Sequence, residues 1–336
     1  MFVYVALAGA AGAVVFSLLF IVMLLKGGSL KIPIIGMAVF LVAAVAASAF
    51  LILMPGTPDD SSADPSPGQT AAESGAPGTP APTGGEEPGQ EAVAEQVLLD
   101  KRGIVIKATG LERDGTLGAE LKLSIENGST TDVTIQARNA SVNGYMVGTM
   151  FSAEVAAGKK ANDALVFLAS DLEACGITTI ADMGFYFHIF DDSFITFLDS
   201  DPVAIRTSAA DAYQYTYDDS GKELYAGDGV RIVSKGFSEN NSVFGPGLVL
   251  FLENTTDKAI IVQARDVSVN GYMVDTVFSE ELSPGKRAVG AVTVMSSSLK
   301  ENNVETIEHM ELSFHVFESD GWATIFDTAP IRVDAE

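Results

Sequence analysis

Apolar and polar positions follow three successive patterns along the chain. Residues 2–25 and 33–54 are two apolar runs without a single charge. Each has the roughly 20 residues that a helix needs to cross a hydrocarbon core about 30 Å thick. The segment 26–32 between them carries Lys26 and Lys31. No Lys or Arg precedes it, and none follows until Lys101. Cytoplasmic loops collect such residues. The pattern therefore predicts a two-helix transmembrane hairpin with loop 26–32 in the cytoplasm. The N-terminus and everything after residue 54 would be extracytoplasmic. A cleaved signal peptide ending near Ala47-Ser48-Ala49 is the rival, but it lacks a charged leading region, and Phe50 to Met54 stay apolar beyond the site.

The second pattern is polar. Residues 55–95 hold eight of the thirteen prolines, eight acidic residues and no basic ones. Such a segment cannot bury enough apolar surface to offset its ordering entropy, which predicts a disordered acidic linker.

From residue 96 onward the period is two. Leu121, Leu123 and Ile125 alternate with Lys122, Ser124 and Glu126, and Leu248, Leu250 and Leu252 repeat the series. Phe185, Phe187 and Ile189 alternate with Tyr186, His188 and Phe190. This is the mark of strands with one face on a core. The whole region is also an internal duplication. Gln136 to Val147 returns as Gln263 to Val274, and 14 of the 19 residues from 136 to 154 are identical to their counterparts. The register extends to Glu126-Asn127 and Glu253-Asn254, Gly158-Lys159 and Gly285-Lys286, and Phe187-His188 and Phe314-His315. Asn143-Gly144 and Asn270-Gly271, each between apolar residues, signal two-residue hairpins, because a type I′ turn needs positive φ at both positions. Ser170-x-x-Glu173 and Ser298-x-x-Glu301 read as capping boxes opening one short helix per copy. The reading is a membrane-anchored all-β protein. Its transmembrane helices and linker precede antiparallel immunoglobulin-like β-sandwich repeats at 96–206 and 223–336, joined by a connector at 207–222.

Composition narrows the partners. Twenty basic residues against 44 acidic ones give a net charge of −24, and the mean hydropathy is +0.27. Nucleic-acid binding needs a basic face to displace counterions, so it is not expected. A single cysteine, Cys175, excludes an intrachain disulfide framework and a Cys-rich zinc site.

The Leu-x-Leu-x-Ile-Glu-Asn opening at 121–127 resembles immunoglobulin-like or telokin-like domains of Gram-positive bacteria. The Gln-Ala-Arg-x-x-Ser-Val-Asn-Gly-Tyr-Met block is similar to tandem repeats of clostridial-type membrane-anchored surface proteins of unknown function. The resemblance covers both repeats, about two thirds of the chain. It implies a sandwich fold and an extracytoplasmic location, and it brings no catalytic residues.

Candidate chemistry is sparse. The hairpins offer Arg138, Asn143, Gly144, Tyr145 and Met146 in the first copy, and Arg265, Asn270, Gly271, Tyr272 and Met273 in the second. Tyr, Met and Arg are favoured at interfaces; they could equally cover a core, with the Arg stem laid over it. His188 and His315 are matched strand residues without the further ligands that zinc needs. Asp191, Asp192, Asp199 and Asp201, with Glu318, Asp320 and Asp327, are acidic loops that resemble no calcium-binding motif. Cys175 has no evident base beside it. The expectation is a non-enzymatic binding protein, without metal or cofactor, that presents two sandwiches to an envelope protein or wall polymer. The alternative is an accessory or scaffolding subunit docked into a membrane complex through its helix hairpin.

Overall fold

A computed structural model describes residues 91–335, and there the period-two segments are strands. In repeat 1 they are β1 (Gln96–Lys101), β2 (Ile104–Gly115), β3 (Gly118–Asn127), β4 (Val133–Val142), β5 (Tyr145–Met146), β6 (Thr149–Met150), β7 (Ser152–Val155) and β8 (Lys159–Leu168). A short helix, α1 (Ala169–Ala174), then leads to β9 (Asp182–Phe190), β10 (Thr196–Asp199) and β11 (Val203–Arg206). Repeat 2 follows the same order: β12 (Lys222–Gly227), β13 (Val230–Ser242), β14 (Gly245–Asn254), β15 (Ile260–Val269), β16 (Tyr272–Met273), β17 (Thr276–Val277), β18 (Ser279–Leu282) and β19 (Arg287–Val294). Helix α2 (Ser296–Glu301) precedes β20 (His309–Glu318), β21 (Thr324–Asp327) and β22 (Ile331–Asp334).

Each repeat is a two-sheet sandwich. One sheet of repeat 1 has the order β1-β2-β3-β8-β6. In the other, β9 lies between β4 and the pair β10 and β11, and β4 also holds β5 and β7. Alternation places Ile104, Ile106, Leu121, Leu123, Ile125 and Phe167 inside, opposite Ile135, Phe187 and Ile189, all essentially without solvent contact. In repeat 2, Ile232, Leu248, Leu250 and Leu252 face Val262, Phe314 and Val316 in the same way. The Glu-Asn pair retained in both copies ends a strand with a buried amide. Asn127 Nδ2 donates to the carbonyls of Thr131 and Val155 at 2.8 Å, and its Oδ1 accepts from Ser129 N–H. Asn254 bonds Lys258 and Leu282 carbonyls and Thr256 N–H in the same pattern.

The membrane-anchored fold class requires correction. Among the described residues no helix is long and apolar enough to cross a membrane. Both helices have six residues, and at 1.5 Å rise each spans about 9 Å against the roughly 30 Å of a hydrocarbon core. The described residues form an all-β structure with two short helices. The runs 2–25 and 33–54 and most of the linker lie outside the described residues. Membrane partnership, the topology built on loop 26–32 and docking through a helix hairpin are not carried forward.

The capping boxes also fail. The N-caps are Leu168 and Met295, without side-chain caps, so Ser170 and Ser298 fall inside the helices. What the first turn supplies is an anchor for the loop after each hairpin. Asp171 Oδ2 accepts from Gly148 N–H at 2.6 Å, and the matched Ser298 Oγ accepts from Asp275 N–H at 3.1 Å.

Both repeats belong to one compact unit. The second sheet of repeat 1 continues into the first sheet of repeat 2 through a parallel contact of β5 with β19. That contact is made by the tip of the first hairpin.

Candidate functional site

The two hairpins are built alike. Asn143 and Gly144 have φ of 49° and 86°, and Asn270 and Gly271 have 52° and 84°, the values a type I′ turn demands. Asn tolerates this region better than other side-chain-bearing residues. Here it is also a brace. Asn143 Nδ2 donates to Thr179 O at 2.6 Å while its Oδ1 accepts from Ala181 and Asp182 N–H. Asn270 does the same with Thr306 O, Glu308 N–H and His309 N–H. The Asn-Gly pair therefore shapes the tip, and the Asn side chain is engaged within its own repeat.

The two tips meet different surroundings. Tyr145 is 4% exposed. Its ring stands edge-on to Tyr217 of the connector at 5.4 Å and to Phe251 of β14 at 6.4 Å. Burial pushes its phenol up to about 12. The Arg287 guanidinium lies 3.7 Å over the Tyr217 ring, and Arg287 N–H donates to Gly144 O at 3.0 Å. Met146 packs against the core of repeat 2. A side chain at Gly144 would meet Tyr217 Oη at 2.9 Å, whereas one at Gly271 would meet nothing within 4 Å. In repeat 2 the same tip is open: Tyr272 is 51% and Met273 64% exposed.

The seat for the first tip is a cross-strand row on the outer face of repeat 2. Val233, Phe251 and Val289 are paired neighbours across β13, β14 and β19, and they join the apolar cluster of repeat 1. The matching row of repeat 1 is Lys107, Ser124 and Asn162. An ion pair shifts likewise. Arg287 and Glu253 are about one-fifth exposed at the contact, whereas their counterparts Lys160 and Glu126 stand in solvent. These seat residues escape a reading confined to every second position. Their signal is the unbroken apolar run 248–252, where repeat 1 alternates Leu, Lys, Leu, Ser, Ile.

The remaining candidates are placed as follows. Arg138 is exposed beside Tyr186, and Arg265 is exposed with its carbonyl accepting from Ser313 Oγ. Next to Arg138, Asn139 Nδ2 reaches Glu281 Oε1 of repeat 2 at 3.4 Å. His188 and His315 each bond an aspartate through Nδ1, Asp199 and Asp327, at 2.6 Å. Of the acidic loop residues, Asp191 Oδ1 accepts from Ser193 and Ile195 N–H of its own loop, while Asp201 pairs with Lys101 and Glu318 with Lys258. Among the described residues no group of three His, Cys, Asp or Glu side chains is placed to hold a metal ion. Cys175 lies at the inter-repeat contact beside the Val289 backbone, and burial pushes its thiol up to about 12, far from the nucleophilic range. Glu280 is enclosed in the same contact, and burial, aided by the Asp171 charge, pushes its carboxyl up to about 7.

No family model and no curated protein matches the chain. Among solved structures, the YadV chaperone is 13% identical, with 69% of this chain and 100% of that chain covered and a TM-score of 0.22. The Salmonella enterica SafA pilin in complex with the SafB chaperone is 12% identical, with coverage of 70% and 98% and a TM-score of 0.21. Similarity this slight transfers neither partner nor activity to this chain.

Proposed function

We propose that the chain is a non-enzymatic protein-binding module whose open hairpin at Tyr272-Met273 docks onto the sheet of another β-sandwich protein. The observation that carries this reading is the matched tip in repeat 1, which is already seated in that way on Val233, Phe251 and Val289. An aromatic anchor with an exposed thioether beside it suits a buried interface centre. A second copy of this chain offers no equivalent seat. The row on repeat 1 is Lys107, Ser124 and Asn162, and the row on repeat 2 is covered by its own Tyr145. The partner is therefore a different protein, with an apolar outer row and a cation at the strand start, as Arg287 is here.

A photo-crosslinking amino acid at position 272 of the full chain tests this. Adducts whose partner peptide maps to a strand, and which Met273→Ala weakens, support it. Adducts no more abundant than those from exposed Val277 count against it. The same group at position 145 should crosslink only within the chain, to repeat 2.

A further inference from the structure

We infer that repeat 2 carries a peptide-binding groove, distinct from the hairpin tip, that takes an extended segment of the Glu-Ala-Val kind. The groove has a volume of about 1000 Å³. Its apolar wall is formed by Phe237, Leu299, Val304, Ile307 and Val333. By strand register and hairpin bonding the last four correspond to Leu172, Ile177, Ile180 and Ile205 of repeat 1.

In repeat 1 that place is filled. The segment just before β1 runs along it. Glu91 Oε1 accepts from Ile180 N–H at 3.0 Å, and Ala92 exchanges bonds with Ser208 through its N–H (3.0 Å) and its carbonyl (2.8 Å). Val93 is buried in the same cluster as Leu172, Ile177, Ile180 and Ile205. Under this strap Ile177 is 5% and Ile180 0% exposed. In repeat 2 the counterparts Val304 and Ile307 are half-buried.

Repeat 2 cannot supply the strap itself. The residues that precede β12 as 91–93 precede β1 are Tyr217, Asp218 and Asp219. Tyr217 is held between Tyr145 and Arg287, Asp218 by Lys235, and Asp219 by Arg231. An occupant must therefore come from elsewhere, and the filled copy states its chemistry. It is an extended backbone with a carboxylate to meet the N–H of Ile307 and, two residues on, a β-branched side chain to cover Val304 and Ile307. The lining mixes Lys222 and Lys235 with Glu239, Glu305 and Asp334, so net charge does not select the occupant. Backbone pairing and apolar fit do, as in other extended-peptide sites.

The test is a fluorescein-labelled peptide of residues 88–95, Pro-Gly-Gln-Glu-Ala-Val-Ala-Glu, titrated with the full chain and followed by anisotropy. Saturable binding is expected, weakened at least tenfold by Val93→Asp in the peptide or by Ile307→Arg in the chain. A photoreactive group at the Val93 position should label residues 299–307, a readout that does not depend on the Ile307 variant folding. The inference is overturned if a scrambled peptide binds equally, if no saturation is seen, or if labelling falls on 172–180, meaning the peptide only displaces the native strap. Tyr272→Ala should leave peptide binding unchanged, so the groove and the hairpin docking succeed or fail separately.

Discussion

Two hairpins that share Gln-Ala-Arg and Ser-Val-Asn-Gly-Tyr-Met have the same turn, the same Asn brace and opposite fates. Tyr145 is sealed into a contact between sandwiches, and Tyr272 stands in solvent. The difference lies outside the hairpin. The first tip is buried where a neighbouring sheet presents an apolar row, and of the two matched outer rows among the described residues it is that of repeat 2 which does so, with Val233, Phe251 and Val289 against Lys107, Ser124 and Asn162. The block retained in both copies is used as a connector within the chain in repeat 1, and the proposed function gives the exposed copy in repeat 2 the same use beyond it.

Transplanting the row of repeat 1 onto repeat 2 should break this asymmetry most severely. Val233→Lys with Phe251→Ser removes a buried aromatic and places a cation under Tyr145. Losses of about 3–5 kcal/mol accompany removal of a buried Phe alone. Denaturant unfolding of the full chain should change from one cooperative transition to two, and the radius of gyration should rise. A single transition at the original midpoint would mean that the row does not hold the repeats together. Tyr145→Ala should act in the same direction, with a cost of about 3 kcal/mol.

Next in size is the ion pair. Arg287→Ala leaves Glu253 enclosed without its partner and strips the cation from the Tyr217 ring. A cost of about 2–3 kcal/mol is expected, since a half-buried charge is left unpaired and a cation–π contact is lost. The matched Lys160→Ala, at an exposed pair, should cost less than about 1 kcal/mol. Equal effects from the two substitutions would contradict the placement of Arg287 in the contact.

Glu280 gives the contact a pH dependence. Its folded carboxyl sits near 7, above the 4.5 of the unfolded chain, so the folded state binds the proton more tightly. Its contribution is complete below about 4.5 and is lost as the pH rises through 7. Stability measured from pH 5 to 8 should therefore fall with rising pH, and Glu280→Gln should flatten that slope and raise stability at pH 8. A slope unchanged by the substitution would assign the dependence to other groups.

Much of this architecture is legible in the residues, and the reasons it stops are specific. Alternation from Leu121 to Glu126 places the core because one face is wet in repeat 1. The same periodicity hides the seat in repeat 2, where Val249 and Phe251 fill the polar slots and both faces of β14 are covered. Asn143-Gly144 declares its turn because few other pairs accept two positive φ values. Ser170 and Ser298 mislead because a polar side chain in a first turn need not cap it: Ser170 Oγ donates to Asp171, which holds the loop at Gly148, and Ser298 holds the matching loop at Asp275. Whether a tip is covered is not encoded in the tip, since Tyr145 and Tyr272 sit in nearly identical local sequence. The apolar runs at the N-terminus read as membrane helices from hydropathy alone, and the described all-β structure contains no such element.

The smallest expected effect is the most informative about function. Tyr272→Ala should change the unfolding free energy by no more than about 0.5 kcal/mol, because a ring half-exposed to solvent loses little on truncation. The same change in repeat 1 costs several times more. If the two tyrosines were retained for stability alone, the second would be dispensable in every assay. If Tyr272 is retained as an anchor, its removal should abolish crosslinking from the repeat 2 tip while the melting curve stays in place. A Tyr272→Ala variant that is as destabilised as Tyr145→Ala would show that its ring is already seated in the isolated chain, and the open hairpin would no longer be a binding surface.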